Sequence, residues 1–126
     1  MRSALFNLES IMVEIVLNIG LARGDGFHVS TLEALRVLNT NGVFVNTSEV
    51  FESDTEETLV VTGSLSGHDS KENTESLHRV AQALGQDCIA VWSPLIHFGA
   101  LIGPRAAAWG EFNPAFFILP DGKRLA

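Results

Sequence analysis

The feature that most constrains the fold is a run of alternating apolar residues near the N-terminus. Every second position from 13 to 21 is apolar, namely Val13, Ile15, Leu17, Ile19 and Leu21. Because successive side chains of a strand point to opposite faces, the pattern predicts a strand over residues 11–22 with one buried face. It is the clearest secondary-structure element that the sequence predicts.

Two helices are predicted from their capping signals. A capping box that begins at Ser30 precedes apolar residues at helical spacing, which predicts a helix over Thr31–Thr40. The second helix follows Asp69 or Ser70, carries a narrow apolar stripe and ends at Gly85.

Further stretches rich in β-branched and aromatic residues are predicted as strands. They are residues 43–51, 58–65, 87–92, 98–102 and 115–119. The first two form an antiparallel hairpin around the polar residues 53–56, and a turn is predicted at residues 23–26. Pro104 favours a short helix that ends at Trp109.

The order of the first six elements, β-α-β-β-α-β, is typical of the ferredoxin-like fold. We therefore expect an α+β protein with an antiparallel ferredoxin-like sheet and a C-terminal β/short-helix/β extension. In that fold two helices cover one face of the sheet and leave the other for a partner subunit, a ligand or a further segment. The extension either lengthens the sheet edge or packs on this open face.

The length of 126 residues favours a single domain. Within it, residues 1–11 are expected to be a weakly ordered lead-in, residues 12–92 the core and residues 93–126 the extension. Met1 and Met12 both remain possible starts of the native chain.

Charge and cysteine content limit the function classes. The net charge is −7, from 15 acidic and 8 basic residues, and the chain has no run of Lys or Arg. Because phosphate backbones are bound through Lys and Arg, nucleic acid is not expected as a partner. The chain has one cysteine, Cys88, and no apolar stretch of the roughly 20 residues that a membrane helix needs. These features, and an N-terminus unlike a signal peptide, predict a cytoplasmic protein without a membrane partner.

Residues 103–114 are the most promising location for a site. Arg105 and Trp109 lie one helical turn apart and share a face. Arg105 suits a carboxylate or phosphate, Trp109 suits stacking on a ring, and Asn113 follows the helix stop. With His97, these residues are the candidates for ligand binding. The alternative is a structural clamp in which Trp109 and Phe112 plug the open sheet face and Arg105 pairs with a carboxylate.

No arrangement typical of catalysis or metal binding is evident. The four histidines lie far apart in the sequence and lack ligand spacing, and nothing adjacent in sequence activates the thiol of Cys88. We therefore assign no catalytic residue, no metal ligand and no cofactor.

Residues 84–91, together with Gly103-Pro104 and residues 108–114, resemble a pattern in small bacterial proteins of unassigned activity. Those proteins are associated with phage, plasmid and integron gene-cassette material. The resemblance implies a mobile-element origin. It carries no activity, so no catalytic residue is transferred.

Three functions are consistent with these observations. The favoured one is a non-catalytic binding or association protein that forms a homodimer through the open sheet face or an edge strand. The second is a small-molecule sensor or small enzyme whose pocket lies between the sheet and residues 103–114. In it, Arg105 would anchor an anion, Trp109 would form a wall, and His97 or Asp87 would act as an acid–base group. The third is an adaptor or inhibitor bound to a host protein.

Overall fold

A computed structural model describes residues 13–22, 26–52 and 56–126. Within these ranges the chain forms, in order, β1 (Val13–Gly20), α1 (Thr31–Thr40), β2 (Val43–Glu52), β3 (Glu57–Leu65), α2 (Ser70–Ala83), β4 (Ile89–Ser93), β5 (Phe98–Ile102) and a 3-10 helix (Ala106–Trp109). The predicted lead-in and most of the predicted turns at residues 23–26 and 53–56 lie outside the described residues.

The strands form one antiparallel sheet in the order β2-β3-β1-β4-β5. The prediction of an α+β protein with an antiparallel sheet and two helices is confirmed. The order does not match the ferredoxin-like sheet that we expected. Instead, β5 pairs with β4 over the full length of both strands and forms the outer edge.

The alternation in β1 places its apolar positions against the helices. Ile15, Leu17 and Ile19 are buried and join one apolar cluster with Leu38 of α1 and Val80 of α2. Since an amphipathic helix buries its apolar stripe, both helices pack on this one face of the sheet. The main core therefore lies between the helices and this face.

Side chains cap both helices where the sequence predicts it. The hydroxyl of Ser30 accepts a hydrogen bond from the backbone N–H of Glu33 at 3.1 Å. Asp69 accepts one from the N–H of Glu72 at 2.8 Å. The Glu72 carboxylate accepts from the N–H of His68 instead of completing a box with Asp69. Each cap satisfies an N–H that has no partner within its helix.

The sheet face turned away from the helices, which we call the distal face, is not left open. The C-terminal segment, residues 103–126, packs on it. Phe117 and Ile118 are buried against Val16 of β1 and Val60 of β3, and Phe112 joins this second apolar cluster. The extension therefore does both things that the sequence left open: β5 widens the sheet, and the segment after it covers the distal face.

The predicted strand over residues 115–119 is wrong. Ile118 forms an isolated bridge with Arg124, Ala115 and Phe116 are in a turn, and the other two residues belong to no regular element. The backbone N–H and C=O of Ile118 are bonded by the side-chain amide of Asn18. Because that amide satisfies both backbone groups, the segment lies on the sheet without a strand ladder of its own.

Candidate functional site

A cavity of about 820 Å³ lies between the distal face and the C-terminal segment. Its wall includes apolar and aromatic side chains, carboxylates and amides. The residues that line it include Asn18, Gly20, Phe51, Glu52, Glu56, Thr58, Gln86, Asp87, Cys88, Trp109, Glu111, Phe112, Asn113, Phe116, Phe117, Ile118 and Arg124. We call this space the cavity.

The floor of the cavity is set by strand register. Gly20 of β1 lies opposite Thr58 of β3, and Thr58 lies opposite Phe51 of β2. Residues opposite one another in neighbouring strands share a face, and neighbouring strands lie about 4.8 Å apart. Gly20 and Phe51 are therefore about 10 Å apart across the floor, with Thr58 between them.

The end of α2 carries Gln86 into the cavity. Gly85 has a φ of 67°, a conformation that favours glycine. Its N–H donates to the carbonyl of Gln82 at 3.0 Å, and the N–H of Gln86 donates to the carbonyl of Ala81 at 2.9 Å. These two bonds define a Schellman motif. The motif reverses the chain so that the residue after Gly85 points back over the sheet.

The side chain of Gln86 has one unused hydrogen-bonding atom. It is 9% exposed, and its Nε2 donates to the carbonyl of Ala22 at 3.5 Å. Its Oε1 accepts no hydrogen bond from any residue that the structure describes. This oxygen is not among the fully buried side-chain atoms without a partner, so water in the cavity reaches it.

A carboxylate lies beside that oxygen. A Cβ placed on Gly20 would lie 3.6 Å from Oε2 of Glu56 and 3.8 Å from Oε1 of Gln86. Two hydrogen-bond acceptors therefore converge over Gly20. The absence of a side chain at Gly20 keeps the space between them open.

The charges that line the cavity are mainly negative. Glu52, Glu56, Asp87 and Glu111 supply four carboxylates, against one guanidinium, that of Arg124. Arg124 donates to the backbone carbonyl of Phe116 at 3.0 Å, so it is bonded to the C-terminal segment itself. An anionic ligand would meet unfavourable electrostatics in this cavity.

Asp87 holds one wall in place. Its carboxylate accepts a hydrogen bond from Nε1 of Trp109 at 3.2 Å, and its carbonyl accepts from the N–H of Arg105 at 2.9 Å. A Cβ on Gly103 would lie 2.5 Å from that same carbonyl, so glycine is required for the close approach. These contacts fix the 3-10 helix against the start of β4.

The opposite wall is anchored by Asn18 and by stacked rings. The Asn18 side chain donates to the Ile118 carbonyl at 2.8 Å and accepts from its N–H at 2.7 Å. Phe112 stacks on Trp92 with ring centroids 6.0 Å apart and contacts Phe117 at 5.4 Å. On this side of the cavity, the C-terminal segment is therefore held by two hydrogen bonds and an aromatic cluster.

The structure brings together two of the four predicted binding residues. Trp109 and Asn113 line the cavity. Arg105 is exposed outside it, and His97 lies at the β4–β5 turn with φ 51° and an edge-to-face contact to Trp92. In the expected clamp, Phe112 does cover the sheet. Trp109, however, is 64% exposed, and no carboxylate of the described residues pairs with Arg105.

Cys88 lines the cavity as a thiol. Burial first, and the neighbouring charge of Asp87 second, raise the pKa of Cys88 above its ordinary value. The thiolate is the nucleophilic form, so the environment disfavours nucleophilic chemistry at this residue. Across residues 13–22, 26–52 and 56–126, no group of three His, Cys, Asp or Glu side chains is arranged to hold a metal ion.

Sequence reasoning missed Asn18, Glu56 and Gln86. Asn18 had a signal: asparagine is depleted in strands, so in a central strand its amide requires a partner. Gln86 had a weaker signal, its position directly after the helix-ending Gly85. Glu56 had none, because its place over Gly20 depends on the register of β1 and β3.

Comparisons with protein-family models, with curated proteins and with solved structures gave no significant match. Within the described part of the chain, no helix is both long enough and apolar enough to cross a bilayer.

Proposed function

We propose that this protein binds a small molecule in the cavity between the distal face and the C-terminal segment. One observation carries the proposal. The segment that covers the sheet does not fill the space beneath it, but leaves about 820 Å³ lined by aromatic rings and polar groups. Ligand sites are typically concave, about 300–1,000 Å³ in volume, and largely apolar with a few placed polar groups.

The walls support binding rather than covalent catalysis. The raised pKa of Cys88 disfavours a nucleophile at that position. His97, proposed from the sequence as an acid–base group, lies outside the cavity wall. Trp109 and Asn113 retain their proposed role as binding residues. Arg105 is not proposed as an anion anchor, because it lies outside the cavity and the acidic lining disfavours an anionic ligand.

A fragment screen tests the proposal with a variant that fills the cavity. Ligand-observed NMR against a library of mixed charge is expected to identify binders of the native protein. Gly20→Leu is expected to abolish their binding, because Gly20 lines the cavity and a Cβ at this position meets only ordinary van der Waals contacts, which leaves the rest of the side chain to occupy the cavity. Ser64→Leu is the control. Ser64 lies opposite Glu14 on the distal face, at the other end of β1 and away from the cavity.

Binding of the same fragments to the native protein and to Gly20→Leu would contradict the proposal, as would a screen without any binder. Unchanged thermal unfolding of Gly20→Leu relative to Ser64→Leu would show that loss of binding does not reflect loss of the fold.

A second candidate function is self-association through the edge of β5. This strand lies at the edge of the sheet, and its five residues carry no charge and no proline. Leu95, Ile96 and Phe98 at the adjoining turn are exposed apolar residues. Uncharged, unprotected edge strands are templates for pairing with another strand. A homodimer, which the sequence favoured, would therefore form through this edge rather than through the covered distal face.

Light scattering at micromolar concentration tests this second function. The dimer is expected at twice the chain mass of 13.6 kDa. Phe98→Lys is expected to give the monomer. Leu32→Lys, at a similarly exposed position on α1, is the control and should leave the dimer intact. A monomeric native protein would refute this candidate without bearing on the cavity.

We further propose that β1–β4 with α1 and α2 are a ferredoxin-like unit to which β5 is added. Their antiparallel pairing, with β1 between β3 and β4, supports this. A cytoplasmic location is also proposed, supported by the single cysteine.

A further inference from the structure

We propose that two copies of this chain pair their β5 strands in one antiparallel register, with a two-fold axis at Ala100. In that register Leu101 of each copy lies in a groove beside the edge strand of the other. This inference rests on the second candidate function, self-association through β5, and names the register and the contact that fixes it. It is independent of any ligand in the cavity.

The outer side of β5 carries backbone groups without partners. The strand pairs with β4 through its inner side, and no strand lies beyond it in the sheet. Its outward N–H and C=O groups make no hydrogen bond with any residue that the structure describes. A row of unpaired groups of this kind is a template for a further strand.

The opposite edge of the sheet is protected against pairing. β2 carries Glu49 and Glu52, and its register with β3 shifts between Val45 and Thr47. Charged side chains and bulges are common means by which an edge strand avoids a partner. β5 has neither of them. Its register with β4 is continuous, and it lies within residues 88–104, the longest stretch of the sequence without Asp, Glu, Lys or Arg.

A groove of about 460 Å³ lies beside the free edge of β5. It is lined by residues 99–101 of the strand and by residues 106, 107 and 110–112 of the segment that follows. Ala106, Ala107 and Gly110 have small side chains or none, so they leave room for a second strand at this edge. Glu111, the one charged residue of the lining, is exposed and stays in contact with water.

Symmetry fixes how two such strands align. Opposite residues of antiparallel strands share a face of the sheet. A two-fold axis perpendicular to the sheet keeps the helix-covered faces of both copies on one side, so it passes through a residue and its own copy. For the five residues of β5, complete overlap places the axis at Ala100. Gly99 then lies opposite Leu101 of the second copy.

The place opposite Leu101 is shaped to receive it. Gly99 and Leu101 lie on the distal face, because they pair with Trp92 and Ala90, which belong to the apolar cluster on that face. A Cβ on Gly99 would collide with the ring of Phe112. This ring therefore covers the missing side chain and borders the groove. Leu101 of the second copy is directed to the same face beside this ring, and the two-fold axis repeats the contact.

A second copy is the occupant that these observations favour over a strand of another protein. On the helix-covered face, Phe98 is 59% exposed and lies opposite Ile102 of the second copy, so the strand is its own apolar complement. Each copy has a net charge of −7, which opposes association through charged surfaces. In this register no charged side chain of one β5 strand lies opposite another.

Sedimentation equilibrium of the full chain tests the groove contact. Ala107→Phe fills the groove and is expected to raise the dimer dissociation constant about a hundredfold, because the axis places the new ring in the interface twice. Ala108→Phe is the matched control. Ala108 is the next residue of the same 3-10 helix, is exposed, and lines neither the groove nor the cavity. It should leave the dissociation constant within about threefold.

Disulfide cross-linking with diamide as the oxidant tests the register, in chains that carry Cys88→Ser. Ala100→Cys is expected to give a covalent dimer, because pairing at the axis brings the two Cβ atoms to about 5 Å. Phe98→Cys is the control and should stay uncross-linked. Its two copies lie four residues apart along the strands, about 14 Å, which is beyond the reach of a disulfide.

A dimer that Ala107→Phe weakens no more than Ala108→Phe, or one in which Ala100→Cys does not cross-link, would overturn this inference and leave self-association standing. A native protein that is monomeric at micromolar concentration would overturn both. Neither outcome bears on ligand binding in the cavity.

Discussion

The contact between Asn18 and Ile118 gives the sharpest prediction about how the cavity is built. Asn18→Ala removes two hydrogen bonds, of 2.8 Å and 2.7 Å, that join β1 to the C-terminal segment. Ile118 is buried, so its N–H and C=O lose their partners without full access to water. A hydrogen bond contributes about 1 kcal/mol net, and a buried group left unpaired costs about 1–3 kcal/mol. We expect the free energy of unfolding to fall by about 2–4 kcal/mol.

Urea unfolding measures this loss, and amide hydrogen exchange places it in the structure. The N–H of Ile118 is expected to exchange faster in Asn18→Ala, because its acceptor is gone. The amides of β3 should lose protection only as far as global stability falls. Asn46→Ala is the control, since Asn46 is an exposed asparagine of β2 with no side-chain hydrogen bond among the described residues. It should change stability by less than about 0.5 kcal/mol.

Two results would refute this account of the closing segment. The first is a free energy of unfolding for Asn18→Ala that equals that of Asn46→Ala. The second is an unchanged exchange rate at Ile118. Either would mean that apolar packing on the distal face holds the segment without the amide.

Three further changes follow from the same structure. Phe117→Ala should lower the free energy of unfolding in urea by about 3–5 kcal/mol, because Phe117 is 2% exposed. Phe116→Ala, at the exposed neighbouring position, should lower it by less than about 0.5 kcal/mol. Equal losses in the two variants would contradict the assigned packing. Gly85→Ala should lower the free energy of unfolding by about 1 kcal/mol, since alanine is strained at a φ of 67°. An unchanged melting temperature would argue against the Schellman turn. Alkylation of Cys88 should have its midpoint at a higher pH than that of a free cysteine. Asp87→Asn should move the midpoint to lower pH, because the charge of Asp87 raises the pKa of Cys88; a midpoint unmoved by the substitution would refute that coupling.

Local signals account for the parts of the fold that the sequence predicted. The bounds of Thr31–Thr40 and Phe98–Ile102 are those expected from the sequence. The helix Thr31–Thr40 depends on its N-cap Ser30 and on its C-cap Asn41, and both lie directly beside the helix in the sequence. The alternation in β1 depends only on the two-residue period of a strand. Such interactions are encoded in a short stretch of chain, so the sequence is sufficient for them.

The rest depends on contacts between distant parts of the chain. Residues 115–119 have the composition of a strand, but Ile118 is bonded by an asparagine 100 positions earlier. No local rule identifies that partner.

The cavity is a second case of this kind. It combines Gly20 of β1, Glu56 before β3 and Gln86 after α2, and they meet only because of strand register and the turn at Gly85. The sequence did identify Trp109 and Asn113, which lie in a segment that carries no main-core strand or helix. Arg105 and His97, which the sequence also proposed, do not line the cavity.

The indole N–H signals of the two tryptophans test the central claim most directly. Trp109 lines the cavity and donates to Asp87. Trp92 packs between Phe112 and His97 and serves as an internal control. In a proton–nitrogen correlation spectrum, titration with a fragment identified in the screen is expected to shift the Trp109 signal and the Gly20 and Gln86 amides along one saturable curve, with a much smaller change at Trp92. Saturable binding that shifts β5 and leaves Trp109, Gly20 and Gln86 unchanged would contradict a ligand site in the cavity.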